Sequence, residues 1–176
     1  MKKIALVGIG GIVLLIGTVL LIGALLPEDH AASLSARYAQ PPDVVWRAIT
    51  EYNEFPAWRP SVDDVEPLGD AGGATGWVER GSTGALPLAV EEATAPRRLV
   101  LRIAADNLGF GGTWTYEIRA EEGGSTLTIT ENGTVSNLFF RFMSRFVFGY
   151  TATIETYLVD LGHKFGEETT PRPAGE

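Results

Sequence analysis

The sequence predicts an α+β fold in which an antiparallel sheet packs against one long C-terminal helix, behind a hydrophobic N-terminal helix. Three observations lead to this prediction. After residue 60 the spacing of apolar residues changes from nearly four to two, in short runs separated by Gly, Asp, Pro and Asn. Between Met143 and Phe165 the apolar spacing returns to three and four. Residues 4–26 contain no charged side chain.

Residues 1–27 are predicted to form a transmembrane signal anchor. At ~1.5 Å rise per residue, the uncharged stretch 4–26 spans the ~30 Å hydrocarbon core of a bilayer. Two lysines precede this stretch and two carboxylates follow it. The positive-inside rule therefore predicts a single-pass protein of the cytoplasmic membrane, with its N-terminus inside and its domain on the extracytoplasmic side. A cleavable signal peptide is the alternative, which the length of the stretch and the lack of a small-x-small cleavage pattern disfavour.

Small residues recur every seven positions within the same stretch, at Gly10, Gly17 and Ala24. They share one helix face, where a second helix can approach closely. This spacing predicts a weak self-association through the transmembrane helix.

The remaining chain is divided into a tether at 28–32, one folded domain at 33–166 and a flexible tail at 167–176. Strand one is predicted at 33–40, where Pro41-Pro42-Asp43 ends it and begins a short helix. A second, very short helix follows at 55–60. Six further strands are predicted at 62–68, 76–81, 86–93, 99–105, 112–120 and 125–135. Asn132-Gly133 leaves a second interpretation open, because it could form a hairpin turn and end the last strand early.

The final helix is predicted to run without a break from Met143 to Phe165. Its apolar residues are spaced 4, 3, 4, 4, 3 and 4 apart, which makes one continuous face of about six turns. A helix of this length must bury that face, and the predicted sheet of six or seven strands is the surface large enough to receive it.

Composition excludes several classes of function. The chain has 14 Lys+Arg against 22 Asp+Glu, a formal net charge of −8, which argues against nucleic acid as a partner. With no Cys, it has no disulfide, thiolate nucleophile or cysteine-based metal site. His30 falls in the expected tether and His163 lies off the apolar helix face, so neither has a companion at metal-ligand spacing. We therefore expect no metal and no cofactor.

Strand alternation places Glu131 on the inner face of the last strand, together with Leu127 and Ile129. A carboxylate there needs a partner, and Arg102, Arg80 or Tyr116 could supply it. Two interpretations stay open. Glu131 either fixes a ligand hydroxyl or acts as a general acid/base, or it belongs to a satisfied structural pair at the open end of the sheet. No other residue is a candidate for catalysis.

Aromatic and aliphatic side chains that alternate on the predicted inner faces could line a cavity or simply fill a core. The cavity candidates are Trp77, Leu101, Ile103, Trp114, Tyr116, Leu127, Ile129, Glu131, Tyr150 and Ile154. The segment 138–148 holds more aromatic surface than one core-facing stripe needs. Phe139, Phe142 and Phe146 form a second face that could contact the membrane, gate the cavity or thicken the core. Arg59 could neutralise a carboxylate near the mouth of a pocket, but an exposed arginine is the default expectation.

Two motifs resemble those of a known superfamily. Pro41-Pro42-Asp43-Val44-Val45-Trp46 is similar to its "sPeeVW" opening, and Phe55-Pro56-Ala57-Trp58-Arg59-Pro60 to its "yp.W.P" second helix. On these motifs and the order of elements, the chain resembles the SRPBCC superfamily, which includes START, Bet v 1-like and polyketide cyclase/dehydrase-like proteins. The resemblance implies a helix-grip fold, with a curved sheet of about seven strands gripping the last helix. It also implies a cavity for hydrophobic or amphipathic small molecules between sheet and helix.

Three functions follow as hypotheses. The first is a membrane-anchored domain that binds a lipid or another hydrophobic small molecule in an internal cavity. The second is a cyclase- or aromatase-like enzyme that uses Glu131 beside Tyr116. The third is an interaction or assembly protein that has this fold without a cavity.

Overall fold

A computed structural model describes residues 2–69, 75–82, 84–105 and 108–175, with side chains from Ile9 onward. The helices are α1 (Lys2–Leu25), α2 (Pro42–Thr50), α3 (Phe55–Trp58), α4 (Leu138–Met143) and α5 (Ala152–Lys164), with a 3-10 turn at Tyr52–Glu54 and a π-helical segment at Ser144–Phe148. The strands are β1 (Asp29–Tyr38), β2 (Asp64–Pro67), β3 (Gly76–Gly81), β4 (Gly84–Thr94), β5 (Arg98–Ile103), β6 (Phe110–Glu121), β7 (Gly124–Val135) and β8 (Arg172–Pro173).

The strands form one open antiparallel sheet in the order β2-β3-β4-β5-β6-β7-β1-β8. The α+β helix-grip fold is thereby confirmed, with eight strands instead of about seven. The extra strand comes from the segment expected to be a flexible tail, since β8 pairs with Leu34 and Ser35 of β1. Glu167 joins this attachment by accepting a hydrogen bond from the backbone N–H of Ala39 at 3.0 Å.

Strand β1 begins at Asp29, four residues before the expected start of strand one. The residues expected to be a tether therefore pair with β7, from Asp29 opposite Thr134 to Ala32 opposite Glu131. Strand β7 runs to Val135, so Asn132-Gly133 is not a hairpin turn in this fold. The long β1–β7 pairing brings residue 30 into the domain.

The core lies between the sheet and α5. Ile154, Leu158 and Leu161 on α5 are completely buried. The hydroxyl of Tyr38, on β1, donates a hydrogen bond of 2.8 Å to the carbonyl of Leu158, which fixes the helix across the sheet. Helices α2 and α3 extend this core, since Val45 of α2 and Phe55 of α3 are buried in it.

The C-terminal helix is shorter than the sequence predicts, because the backbone breaks between the π-helical segment and α5. Gly149 adopts φ 75° and ψ 160°, a conformation that side-chain-bearing residues avoid. Hydrophobic spacing alone did not reveal this break, since the apolar positions keep their phase across it. The break separates α5, which is in the core, from α4 and the π-helical segment, which are outside it.

Helix α1 packs by its C-terminal end against α4. Gly23 is buried there, and a Cβ at this position would lie 2.9 Å from the carbonyl carbon of Leu138. Glycine is therefore required for the two helices to approach. The sequence predicts a transmembrane helix here; among the described side chains, which in α1 begin at Ile9, the structure contains no helix long and apolar enough to span a bilayer.

Candidate functional site

The sheet brings His30 and Glu131 together at the end of the domain next to α1. His30 pairs with Gly133, and Ala32 pairs with Glu131, so the two side chains are diagonal neighbours on the inner face. His30 Nε2 lies 3.6 Å from Oε1 of Glu131. Their side chains are 11% and 20% exposed, which makes this a largely buried pair of titratable groups.

Tyr150 covers the pair from the other side. Its ring lies parallel to the His30 imidazole with 4.2 Å between centroids. Tyr150 follows directly after Gly149, so the backbone break before α5 determines where this ring is placed. The site thus combines groups from β1, β7 and the start of the C-terminal helix.

Burial of the Glu131 side chain disfavours its charged form. Burial raises the pKa of its carboxyl above the ordinary value of 4.5, while His30 and the indole of Trp114 act against this shift. The two expected arginine partners pair with other carboxylates, Arg102 with Glu91 and Arg80 with Glu66, and the third expected partner, Tyr116, meets Tyr157. The partner that the fold supplies is His30.

Gly133 makes the contact between these side chains possible. A Cβ at residue 133 would lie 2.6 Å from His30 Nε2 and 3.1 Å from Glu131 Oε1. The imidazole therefore packs directly against the backbone of β7, in space that the side chain of any larger residue at position 133 would occupy. The Asn132-Gly133 pair has a packing role here, not a turn role.

Two open clefts flank the end of β7. One, of about 400 Å³, is lined by Asp29, His30, Ala31, Asn132, Gly133 and Thr134. The other, of about 380 Å³, shares Thr134 and is bounded by the end of β5 and the start of β6. Both clefts are open to solvent, and His30 borders the first of them.

The middle of the sheet is occupied by a second polar pair. Arg59, expected to be exposed, has a side chain that is only 13% exposed and donates a hydrogen bond of 2.7 Å to Glu79. Trp77 donates to the same carboxylate oxygen at 3.1 Å. Burial works to lower the pKa of Arg59, but the Glu79 carboxylate raises it above its ordinary value. The guanidinium also lies 4.8 Å from the ring centroid of Tyr157.

Aromatic rings surround this pair and fill the space between sheet and α5. Tyr116 and Tyr157 meet edge to face at 5.6 Å, and Trp58 meets Tyr157 at 5.5 Å. Burial raises the pKa of Tyr116 well above its ordinary value, so its hydroxyl stays protonated near neutral pH. The space between the middle of the sheet and α5 is therefore filled by packed aromatic side chains.

The cavity candidates are all wholly or partly buried. Trp77, Leu101, Tyr116, Leu127, Ile129 and Ile154 belong to the packed core, and Ile103, Trp114 and Tyr150 pack against it. Of the ten, Glu131 and Tyr150 contact the imidazole beside the cleft. Sequence reasoning missed His30 and Glu79. Continuing the two-residue alternation of β1 backward from Ala32 would have found His30, and the Trp77-x-Glu79 spacing would have found Glu79.

The aromatic segment projects away from the core. Phe139, Phe140, Phe146 and Phe148 are 45–62% exposed, whereas Phe142 is half-buried. Within this segment Arg141 points inward and is buried. Its guanidinium donates to the carbonyls of Gly23 and Leu26 at 3.2 and 3.1 Å, at the C-terminal end of α1. It also bonds to the carbonyl of Val135 and to the Glu28 carboxylate. Arg141 therefore joins α1, β7 and α4.

Known structures share this fold at low sequence identity. A START superfamily protein from Mycobacterium smegmatis matches 77% of this chain and 96% of its own, with 12% identity and a TM-score of 0.58. Norcoclaurine synthase from Thalictrum flavum matches 84% and 92%, with 12% identity and a TM-score of 0.61. The di-domain aromatase/cyclase StfQ of the steffimycin biosynthetic pathway matches 79% of this chain and 52% of its own, with 13% identity and a TM-score of 0.55.

These structural likenesses establish the fold alone. A comparison with curated proteins finds no match. The family model described as polyketide cyclase / dehydrase and lipid transport matches residues 29–154, from the first residue of β1 into α5. This match covers well over half of the chain and includes both His30 and Glu131. The chain therefore belongs to the polyketide cyclase / dehydrase and lipid transport family, within the SRPBCC superfamily.

Proposed function

We propose that this protein is a single-pass membrane protein whose extracytoplasmic domain binds a lipid or another hydrophobic small molecule. The observation that carries the proposal is the position of the cleft that His30 borders. The cleft lies at the end of the sheet where α1 leads into β1 and β7 leads to α4. The family description, which includes lipid transport, supports a ligand of this kind.

The anchor is proposed from the uncharged stretch 4–26. The character of α1 supports it, since nine large apolar side chains between Ile9 and Leu25 are 39–79% exposed. A helix that is apolar on every side is stable when apolar surroundings cover it. A bilayer supplies such surroundings, with the lysine-bearing N-terminus in the cytoplasm.

The exposed aromatic segment supports a domain that rests on the bilayer. Phe139 and Phe140 belong to α4, which packs against the C-terminal end of α1 that Arg141 holds in place, and Phe146 and Phe148 follow in the π-helical segment. Aromatic side chains on an interfacial helix bury their faces at the boundary between headgroups and acyl chains. In this arrangement the cleft opens near the membrane surface, so a ligand leaving the bilayer has a short path to it.

Because aromatic side chains fill the space between the middle of the sheet and α5, we place the ligand at the end of the sheet. Apolar burial would supply its affinity at ~25 cal/mol per Å² of surface removed from water. The polar pair would set its orientation. The same packing between the sheet and α5 also favours the hypothesis of an interaction protein without a cavity. The ligand experiment below distinguishes the two.

The anchor is tested on the full chain with a C-terminal reporter. We expect an alkaline phosphatase fusion to be active in cells, a green fluorescent fusion to be dark or weak, and the chain to resist alkaline carbonate extraction. Fluorescence in the cytoplasm would contradict the orientation. Extraction by carbonate would contradict the anchor itself.

Membrane contact is tested with single cysteines, because the chain has none of its own. An environment-sensitive dye at Phe146→Cys is expected to be quenched by brominated lipids in nanodiscs. The same dye at Glu155→Cys, on the exposed side of α5, is the control and is expected to stay bright. Equal quenching at the two positions would contradict the proposed contact.

Ligand binding is tested by photo-crosslinking in nanodiscs with a diazirine-bearing C16 probe. We expect crosslinks at 28–32 and 132–136 that saturate and that excess unlabelled probe abolishes. Crosslinks confined to α1 would show lipid contact without a binding site. That result would favour the interaction protein.

A further inference from the structure

The aromatic segment, residues 138–148, lies within a stretch of the domain that has no carboxylate side chain. Residues 132–154 contain no Asp or Glu, although the whole chain has 22 of them and a net charge of −8. The charged residues in this stretch are Arg141 and Arg145. A basic surface on an acidic chain is complementary to a negatively charged partner.

Arg145 is the arginine that such a partner can reach. The Arg141 side chain is buried, and its charge is paired with the Glu28 carboxylate at 2.8 Å. Arg145 is exposed, and among the residues that the structure describes its guanidinium has no carboxylate within ion-pair distance. The positive charge that the aromatic segment presents to its surroundings is therefore that of Arg145.

Exposed apolar side chains lie beside Arg145 along the chain. Phe146, Val147 and Phe148 follow it and are 57–62% exposed. Phe142, one turn before it, packs against Phe146 with 5.0 Å between ring centroids. Interfacial helices combine these features, since their aromatic side chains enter the boundary between headgroups and acyl chains while their arginines extend to the headgroups. The surface therefore matches a bilayer edge with phosphate groups.

Contacts with α1 determine the depth of this surface. Helix α4 begins at Leu138, which packs against Gly23 near the end of the uncharged stretch 4–26. At ~1.5 Å rise per residue, Gly23 lies roughly 4–5 Å inside the end of that stretch. The aromatic segment is therefore at the level of the headgroups when α1 spans the bilayer. Phe110, which is 41% exposed, belongs to the same end of the sheet, since it lies opposite Val135 on the neighbouring strand.

We infer that the aromatic segment binds anionic phospholipids of the bilayer that holds α1, with the Arg145 guanidinium on the headgroup phosphate. This inference rests on the proposed function and names the lipid class that the domain contacts. A guanidinium forms paired hydrogen bonds with phosphate oxygens. Zwitterionic lipids also carry a phosphate, but their ammonium group cancels its charge, so a cationic side chain is attracted more strongly to anionic lipids.

The test measures which lipid lies next to the aromatic segment of the full chain. An environment-sensitive dye is attached at Val147→Cys, which is unique because the chain has no other cysteine. The nanodiscs contain phosphatidylcholine and phosphatidylglycerol in equal amounts, and either one lipid or the other carries brominated acyl chains. At low salt we expect phosphatidylglycerol to associate with the labelled site about fivefold more strongly than phosphatidylcholine, as one arginine near an anionic surface implies. Added salt should reduce this preference, because it screens the charges.

Arg145→Gln provides the matched perturbation, since it removes the charge and leaves an exposed polar side chain in its place. Arg97→Gln is the control, because Arg97 is exposed in the turn between β4 and β5, at the end of the sheet opposite to Phe110. We expect the preference for the anionic lipid to vanish in Arg145→Gln and to persist in Arg97→Gln.

The outcomes separate the inference from the proposed function. Equal quenching by the two brominated lipids would overturn the inference and leave the membrane contact intact. A preference that survives in Arg145→Gln would also overturn it, because the charge would then act from elsewhere. If neither lipid quenches the dye, the proposed membrane contact fails as well.

Discussion

Replacing Arg141 by methionine is expected to uncouple the domain from α1. The side chain is only 4% exposed and donates to the backbone of both α1 and β7. Methionine has a similar length but offers no donor. The carbonyls at the end of α1 would lose their partner in a buried place, and Glu28 would lose its ion pair.

The magnitude follows from the loss of a buried, charged donor. Each backbone carbonyl left without its donor in a buried place costs ~1–3 kcal/mol, and because the four losses do not add independently we expect ~3–5 kcal/mol in total. For a chain of 176 residues, each kcal/mol shifts the melting temperature by about 2–4 °C, so we expect a decrease of roughly 6–20 °C. Arg145→Met, one helical turn later and exposed, is the matched control and should shift it little.

Coupling is measured directly by the distance between two spin labels, at Thr18→Cys on α1 and Glu155→Cys on α5. The Cys-free background makes both labels unique. A narrow distance distribution is expected in the parent and in Arg145→Met, and a broad one in Arg141→Met. A narrow distribution in Arg141→Met, with an unchanged melting temperature, would refute the assignment of Arg141 as the connection.

Three further predictions concern stability. Because burial raises the pKa of Glu131 above 4.5, the folded state holds its proton more tightly than the unfolded state. Its contribution is present below pH 4.5 and is lost as pH rises through the folded pKa, so Glu131→Gln should flatten the decline in urea midpoint above pH 4.5. Arg59→Met leaves the buried Glu79 carboxylate without its positive partner, with only the Trp77 indole as a donor, and should cost ~3–5 kcal/mol by urea denaturation. Arg98→Met, at an exposed ion pair, should change little, and an equal loss in the two variants would refute the argument. Gly149→Ala should cost ~1–3 kcal/mol through backbone strain at φ 75°, whereas an unchanged melting temperature would show that the break tolerates a side chain.

The strands and their faces were largely predictable from local patterns. The two-residue alternation predicted the ends of β3 to β7 within a few residues, because one face of each strand is buried and the other faces solvent. Glu131 was correctly placed on the inner face for the same reason. The start of β1 was not, since Asp29, His30 and two alanines do not look like a buried strand by composition.

The candidate site was predictable only in part, because partners across a sheet depend on register. The expected partners of Glu131 were Arg102, Arg80 and Tyr116, each on a different predicted strand. The pairing of β1 with β7 instead gave it His30, a residue about a hundred positions away in sequence. The position of Arg59 was unpredictable for the same reason. Local sequence does not show that the fold places the Glu79 carboxylate beside it.

Local sequence patterns indicate the order of elements from β1 to β7, and two short motifs indicate the fold; composition shows the uncharged N-terminal stretch and the acidic, Cys-free character of the chain. These are properties of local period and composition, which act within a few residues of each other. Which polar groups meet depends instead on how distant segments pack. His30 seated on Gly133, Arg59 against Glu79, and Arg141 against the end of α1 all arise from contacts between distant segments, where burial makes each partner necessary.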